Sequence, residues 1–211
     1  MADVVVPVLR RWDPYPGWLR DLAEQAFEAA QVMMQCCQRG RPALREPAVA
    51  RLLELQDSAM KTARRTWDAL MRQSPSELPH AEIFTLSVDL AEIPCLLYAA
   101  GARMVWSELE LTPATAHLAA LVVEGTNHLH VAARMLGSPA ARMHVLAVMD
   151  VHTHANDVHA ARAAQLRQQW GRGEALAQAL EVLELLRHAS ELCAQAAESV
   201  HLMIPRGEAA A

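Results

Sequence analysis

Short interruptions rich in proline and glycine constrain this chain more than any other feature. Pro14, Pro16 and Gly17 end an extended lead-in; Gly40 and Pro42, the run from Ser74 to His80, Thr112 with Pro113, Gly137 with Ser138 and Pro139, and Gly171 with Gly173 follow in turn, and Pro205 closes the series. Proline lacks the amide proton a helix interior needs but is pre-organised for a first helical turn, and glycine favours the residue just past a helix end. The stretches between these breaks all carry apolar residues at helical spacing. They predict helices at about 18–39, 47–72, 81–106, 113–136, 139–170 and 174–203. Pro94 lies inside the third, where it leaves the Leu90 carbonyl without its usual donor and predicts a bend between Leu90 and Pro94.

Composition agrees. Apolar residues make up 53% of the 211, aromatics only 4%, and there are eight glycines, a balance that suits helices and gives strands little support. The expected fold is an all-α, six-helix antiparallel bundle in one domain, built as two three-helix halves at about 14–110 and 111–205, with a disordered tail at 206–211. No sequence repeat marks the halves.

Several function classes are disfavoured by the same reading. The net charge is −5 and Lys61 is the only lysine, so no polybasic run is present to grip a phosphate backbone and nucleic acid is not an expected partner. The run Glu54, Asp57, Lys61, Arg64 and Asp68 in the second helix reads as a solvated face of weak ion pairs. The N-terminus lacks the order of a secretory signal and no uninterrupted apolar stretch reaches membrane-spanning length, which predicts a cytoplasmic protein with no membrane span. Cys36, Cys37, Cys95 and Cys193 lack zinc-type spacing and read as small buried residues. There is no Gly-rich phosphate loop or G-x-S-x-G elbow, and no Cys and His arrangement with a convincing third member. Trp12, Trp18, Trp67, Trp106 and Trp170 fall toward helix ends, where they are expected to seal the bundle or a partner surface.

The fifth helix carries the densest chemistry. In the run from Met149 to Leu166, His152, Asn156 and His159 fall at i, i+4 and i+7 beside an apolar seam of Val148, Val151, Ala155, Val158 and Leu166, while Asp150, His154 and Asp157 form an outer stripe. Histidines at a seam edge are ordinarily hydrogen-bonded core-edge residues. The sharper reading joins His152 and His159 with His188 and Glu191 of the sixth helix as ligands for one zinc or nickel ion. Against it, Glu184, His188, Glu191 and Gln195 form a stripe that also reads as an exposed polar face. Glu124 and His128 with His117, and the pair Glu198 and His201, are weaker sets; a di-iron carboxylate bundle needs two Glu-x-x-His pairs and further glutamates.

Four helices also carry a shared frame. The family pattern of leucine, acid, any residue, acid, alanine, acid lies over Leu55 to Met60, Ser87 to Glu92, Val151 to Asn156 and Leu186 to Glu191, with Cys193 and Ala197 continuing the last. In this frame, over almost the whole chain, the sequence resembles the PhoU-like phosphate transport regulators, in particular a cytosolic branch associated with inorganic phosphate transporters. The resemblance implies two three-helix halves and carboxylates four apart that hold metal clusters. Here those pairs read Gln56 with Met60, Val88 with Glu92, His152 with Asn156 and Arg187 with Glu191. A multinuclear carboxylate cluster is therefore not expected. The implied function is a non-enzymatic regulator that contacts a phosphate transporter or sensor component, with self-association into a homo-oligomer expected from apolar helix faces. The alternative is a helical metal-binding protein or di-metal-type enzyme using His152, His159, His188 and Glu191.

Overall fold

The computed structural model describes residues 13–38, 45–74, 76–107, 113–170 and 173–204. Six helices account for nearly all of them: α1 Tyr15–Gln38, α2 Glu46–Met71, α3 His80–Trp106, α4 Pro113–Arg134, α5 Ala141–Trp170 and α6 Glu174–Leu202. Among the described residues there is no strand. The expected breaks at Gly40, Pro42, Thr112 and Gly171, and the tail from Pro205, lie outside the described residues.

Helix ends follow their capping chemistry. α1 starts at Tyr15 rather than at Trp18, because Asp13 Oδ1 accepts the Tyr15 amide at 3.0 Å and Pro16 sits in the first turn, where its missing proton costs nothing. α5 starts two residues later than Pro139: the Arg142 amide bonds the Pro139 carbonyl in a turn that precedes the helix. α2 ends in a Schellman arrangement, with Ser74 N–H on the Ala69 carbonyl and Gln73 N–H on that of Leu70, and Gln73 takes the left-handed position at φ 54°. That position ordinarily belongs to glycine. α3 is a continuous helix through Pro94, and one residue on, the Cys95 thiol donates to the Ala91 carbonyl at 3.3 Å.

Cross-helix pairs establish the antiparallel packing. Gln25 meets Ser58 and Tyr15 meets Ser74 between α1 and α2; Trp67 donates to Ser87 between α2 and α3, while a Cβ on Gly101 would come within 3.0 Å of Leu52 at the other end. His117 faces His154 and His128 faces His144 along α4 and α5. Each half is a three-helix unit, α1 to α3 and α4 to α6, and the halves join through α3 against α6 and α1 against α4. The contact plan is thus roughly two-fold, α1 corresponding to α4, α2 to α5 and α3 to α6, so that α2 and α5 lie outermost.

The core follows from that position. α3 and α6 bury apolar residues on two sides, including Leu86, Leu90, Ile93 and Leu97 from α3 and Leu183, Leu186, Ala189 and Ala196 from α6. α5 buries one stripe, Ala141, Val145, Val148, Val151, Ala155, Ala163 and Leu166 together with Arg162, and the half-buried Val158 packs against it. One window of α3 reaches a mean hydropathy of 1.5, enough by length and composition for a membrane span, yet 56% of it is buried inside the bundle. Its apolarity is accounted for by its central place.

Candidate functional site

The seam between α5 and α6 gathers the residues singled out in the sequence. His152 is half-buried, its Nε2 3.0 Å from the Asn156 amide nitrogen and its Nδ1 3.5 Å from Ser190 Oγ on α6. An amide N–H can only donate, so Nε2 accepts, and the ring proton belongs on Nδ1, toward Ser190. Two turns along, His159 Nε2 lies 3.1 Å from Glu184 Oε2. Burial holds His159 below the ordinary imidazole value; Glu184 pulls the other way, and Arg187 and Arg167 add to the lowering.

Arg187 occupies the centre of this surface. Its Nε and Nη2 donate to Glu184 Oε1 at 3.0 and 2.6 Å, and its Nη1 donates to Glu191 Oε2 at 3.1 Å. These bonds hold the Glu184 carboxyl below its usual range, with Arg187 the largest cause, and raise Arg187 in turn. A guanidinium satisfies two carboxylates here, where a metal ion would otherwise be their counter-charge. His188 is half-buried and has no hydrogen-bond or ion-pair partner among the described residues.

The four sequence-derived ligands therefore share one helix interface but engage different partners: His152 with Asn156 and Ser190, His159 with Glu184, and Glu191 with Arg187. Among the described residues no group of three or more His, Cys, Asp or Glu side chains is placed to hold a metal ion. The outer stripe of Asp150, His154 and Asp157 is exposed, as its spacing predicts. His117 and His128 turn toward α5 instead of joining Glu124: His128 Nδ1 lies 3.2 Å from His144 Nδ1, and the His117 ring stands edge-on to that of His154. Glu198 and His201 are exposed at the end of α6.

The corresponding surface in the first half is chemically different. Gln56, Met60 and Cys95 line a cleft of about 430 Å³ with Lys61 and Arg64, and Gln56 Oε1 is buried without a partner. Cys36, Cys37 and Cys193 are buried, as their small apolar character predicts, Cys95 is half-buried, and none of the four is in a disulfide. Burial pushes the Cys37 and Cys193 thiols up to about 12, which rules them out as ready nucleophiles.

Three buried charged residues escaped the sequence reading, Asp89, Arg45 and Arg162; Arg162, 9% exposed on α5, donates to Gln165 Oε1 at 2.8 Å. Asp89, 6% exposed, faces the groove between α3 and α6 with its Oδ2 unpartnered. Desolvation, then Glu92, raises its carboxyl to about 6. An acid at i+3 from Leu86 on a core face is the signal that could have flagged it. Arg45, 1% exposed, donates to the Met104 carbonyl at 3.3 Å; nothing in its sequence neighbourhood marks it for burial.

No family model matches the chain, and no curated protein does. Solved structures do. A PhoU-like protein from Shewanella oneidensis superposes with a TM-score of 0.75 at 10% identity, over 90% of this chain and 98% of its own. A second protein from that organism, described as a PhoU-like phosphate regulatory protein, gives 0.68 at 10% identity over the same shares. At such identity the likeness establishes the fold, which is PhoU-like.

Proposed function

We propose that this chain is a non-enzymatic, cytoplasmic regulator of the PhoU-like kind, acting through protein contacts with a phosphate transport or sensing system. The observation that carries this reading is the likeness over 90% of the chain to a protein described as phosphate regulatory. The α5–α6 surface is compatible with it. Where the family frame expects pairs of acids, Arg187 and Glu191 close on each other and His152 closes on Asn156, so that, with His159 on Glu184, three of the four candidate ligands are engaged by other protein groups. Beside it, at the start of α5 and the end of α6, Leu146, Met149 and Leu202 line an apolar cleft of about 350 Å³, and Leu146 and Leu202 are 65% and 59% exposed. Exposed apolar clusters of this kind mark protein contacts.

The metal reading, with His152, His159, His188 and Glu191 around one zinc or nickel ion, requires Arg187 to release Glu191 and His152 to leave Asn156. The geometry favours the regulator. The test is a pull-down from membranes of the source cell, grown at high and at low phosphate, with the purified chain as bait. Retention of a phosphate transport or sensor component is expected. Its absence at both phosphate levels, against a bait carrying Leu146→Asp and Leu202→Asp as control, would refute the reading.

A further inference from the structure

Lys61, Arg64, Arg65 and Arg72 fall on one stripe of α2 and its C-terminal cap at i, i+3, i+4 and i+11. In the sequence they are diluted by acids and look like part of a mixed solvated face. The fold concentrates them. The start of α1 brings Trp18 against this stripe, and together they line a cleft of about 530 Å³ in which Asp68 is the one acidic lining residue. Its size falls in the range of small-ligand sites, about 300–1,000 Å³.

The cations in this cleft have no carboxylate partner. Lys61, Arg64, Arg65 and Arg72 make no ion pair among the described residues, whereas Arg51, Arg103 and Arg187 are all bridged to glutamates. Arg65 is instead laid over the Trp18 ring, 4.7 Å from its centre, and Tyr15 meets the same indole edge-on. That stack holds one guanidinium in place with its donors unspent. Lys61 and Arg64 also border the neighbouring cleft, where Gln56 and the acidic Asp57 join them, so the excess of positive charge is concentrated in the first cleft. In a chain of net charge −5, four cations without an ion pair among the described residues, set against the single acid Asp68 in one concavity, constitute a local reversal of sign.

The residue types narrow the ligand. Three arginines present planar donor forks that match phosphoryl oxygens two at a time. From Lys61 to Arg72 the stripe runs about 16 Å at the helical rise, too far for a single phosphate to bridge. We infer that this cleft binds a small ligand carrying an oligophosphate chain, two or more linked phosphoryl groups, with Lys61, Arg64, Arg65 and Arg72 as its contacts. This site does not depend on the regulatory reading: the purified chain alone reports on it, whereas that reading is tested with membrane proteins.

The experiment is calorimetric titration of the purified full-length chain with inorganic triphosphate, ATP and orthophosphate, at low and at moderate salt. Triphosphate, ATP or both should bind saturably, at least tenfold tighter than orthophosphate, with affinity falling as salt rises. Binding by triphosphate alone assigns an inorganic ligand, and by ATP alone a nucleotide; either supports the site. An Arg64→Gln, Arg72→Gln double variant should lose at least tenfold, with Lys61→Gln as a milder second variant and exposed Arg142→Gln as a control that changes nothing. Circular dichroism verifies that each variant is folded. The inference is overturned if neither oligophosphate binds, if orthophosphate binds as tightly, or if the control loses as much as the double variant. It is equally overturned if anionic phospholipid vesicles or single-stranded RNA bind while the small oligophosphates do not, for that result would make the stripe a docking face for a macromolecule.

Discussion

Replacing Asp89 by Asn should stabilise this protein at neutral pH and bring no gain in mild acid. Asp89 is 6% exposed, and its Oδ2 has no partner in the α3–α6 groove. Burial, reinforced by Glu92, lifts its carboxyl from 3.8 to about 6. At about 1.4 kcal/mol per unit, holding the ionised form in the fold above pH 6 costs about 3 kcal/mol. The sign follows from proton counting: between 3.8 and about 6 the folded chain binds more protons than the unfolded one, so this group's penalty shrinks as pH falls through 6 and is gone below 3.8. Asn carries no charge, though burying its amide returns about 1 kcal/mol of the gain. The expected result is therefore about 2 kcal/mol of added stability at pH 7.5, or about 4–8 °C in Tm for a chain of this size. Urea unfolding followed by circular dichroism at pH 7.5 and pH 4 measures both ends. An Asn variant no more stable than the wild type at pH 7.5, or equally stabilised at pH 4, would refute the reasoning.

Other outcomes follow from individual residues. Gln73→Gly should raise stability by about 0.5–1 kcal/mol, because Gln73 holds a left-handed backbone at φ 54° inside the Schellman turn of α2, a strain glycine does not pay; thermal melts of Gln73→Gly and Gln73→Ala should move apart. Gly101→Val should cost about 1–3 kcal/mol, since even a Cβ there would reach 3.0 Å from Leu52 and 3.3 Å from Val49, forcing α2 and α3 apart. Arg187→Ala frees Glu184 and Glu191 beside His159 and His188, and zinc binding measured by titration should tighten by about tenfold or more as the competing cation is lost; unchanged zinc affinity would show that Arg187 is not what keeps a cation out. Self-association, if seated on the apolar cleft at the α5–α6 end, should be abolished by Leu146→Asp in sedimentation at micromolar concentration, while wild-type protein sediments as an oligomer.

Local chemistry determined the helices. Among the described residues, proline and glycine marked helix ends such as the starts of α1 and α5 to within a few residues, because a missing amide proton, or a left-handed turn, is decided by the residue in place, though α2 closes on Gln73 where glycine is usual. The apolar spacing of α5 likewise predicted which of its faces would be buried, and the recurring frame over α2, α3, α5 and α6 pointed to the fold that the superposition establishes. Side-chain pairing was not legible in this way. Whether His152 meets a metal or Asn156 depends on a rotamer and on Ser190 from another helix, and whether Glu191 is an open ligand depends on Arg187 one turn away choosing it as a partner. The cationic cleft was hidden for the same reason. Lys61, Arg64 and Arg72 gain a concave wall only when α1 folds back and brings Trp18 under Arg65. The spacing of Asp89 from Leu86 places it toward the core, but only the packing of α6 on α3 leaves it 6% exposed in the groove between them. Backbone preference acts within a few residues and can be read along the chain, whereas charge pairing and desolvation depend on groups that only tertiary packing brings within a few ångströms.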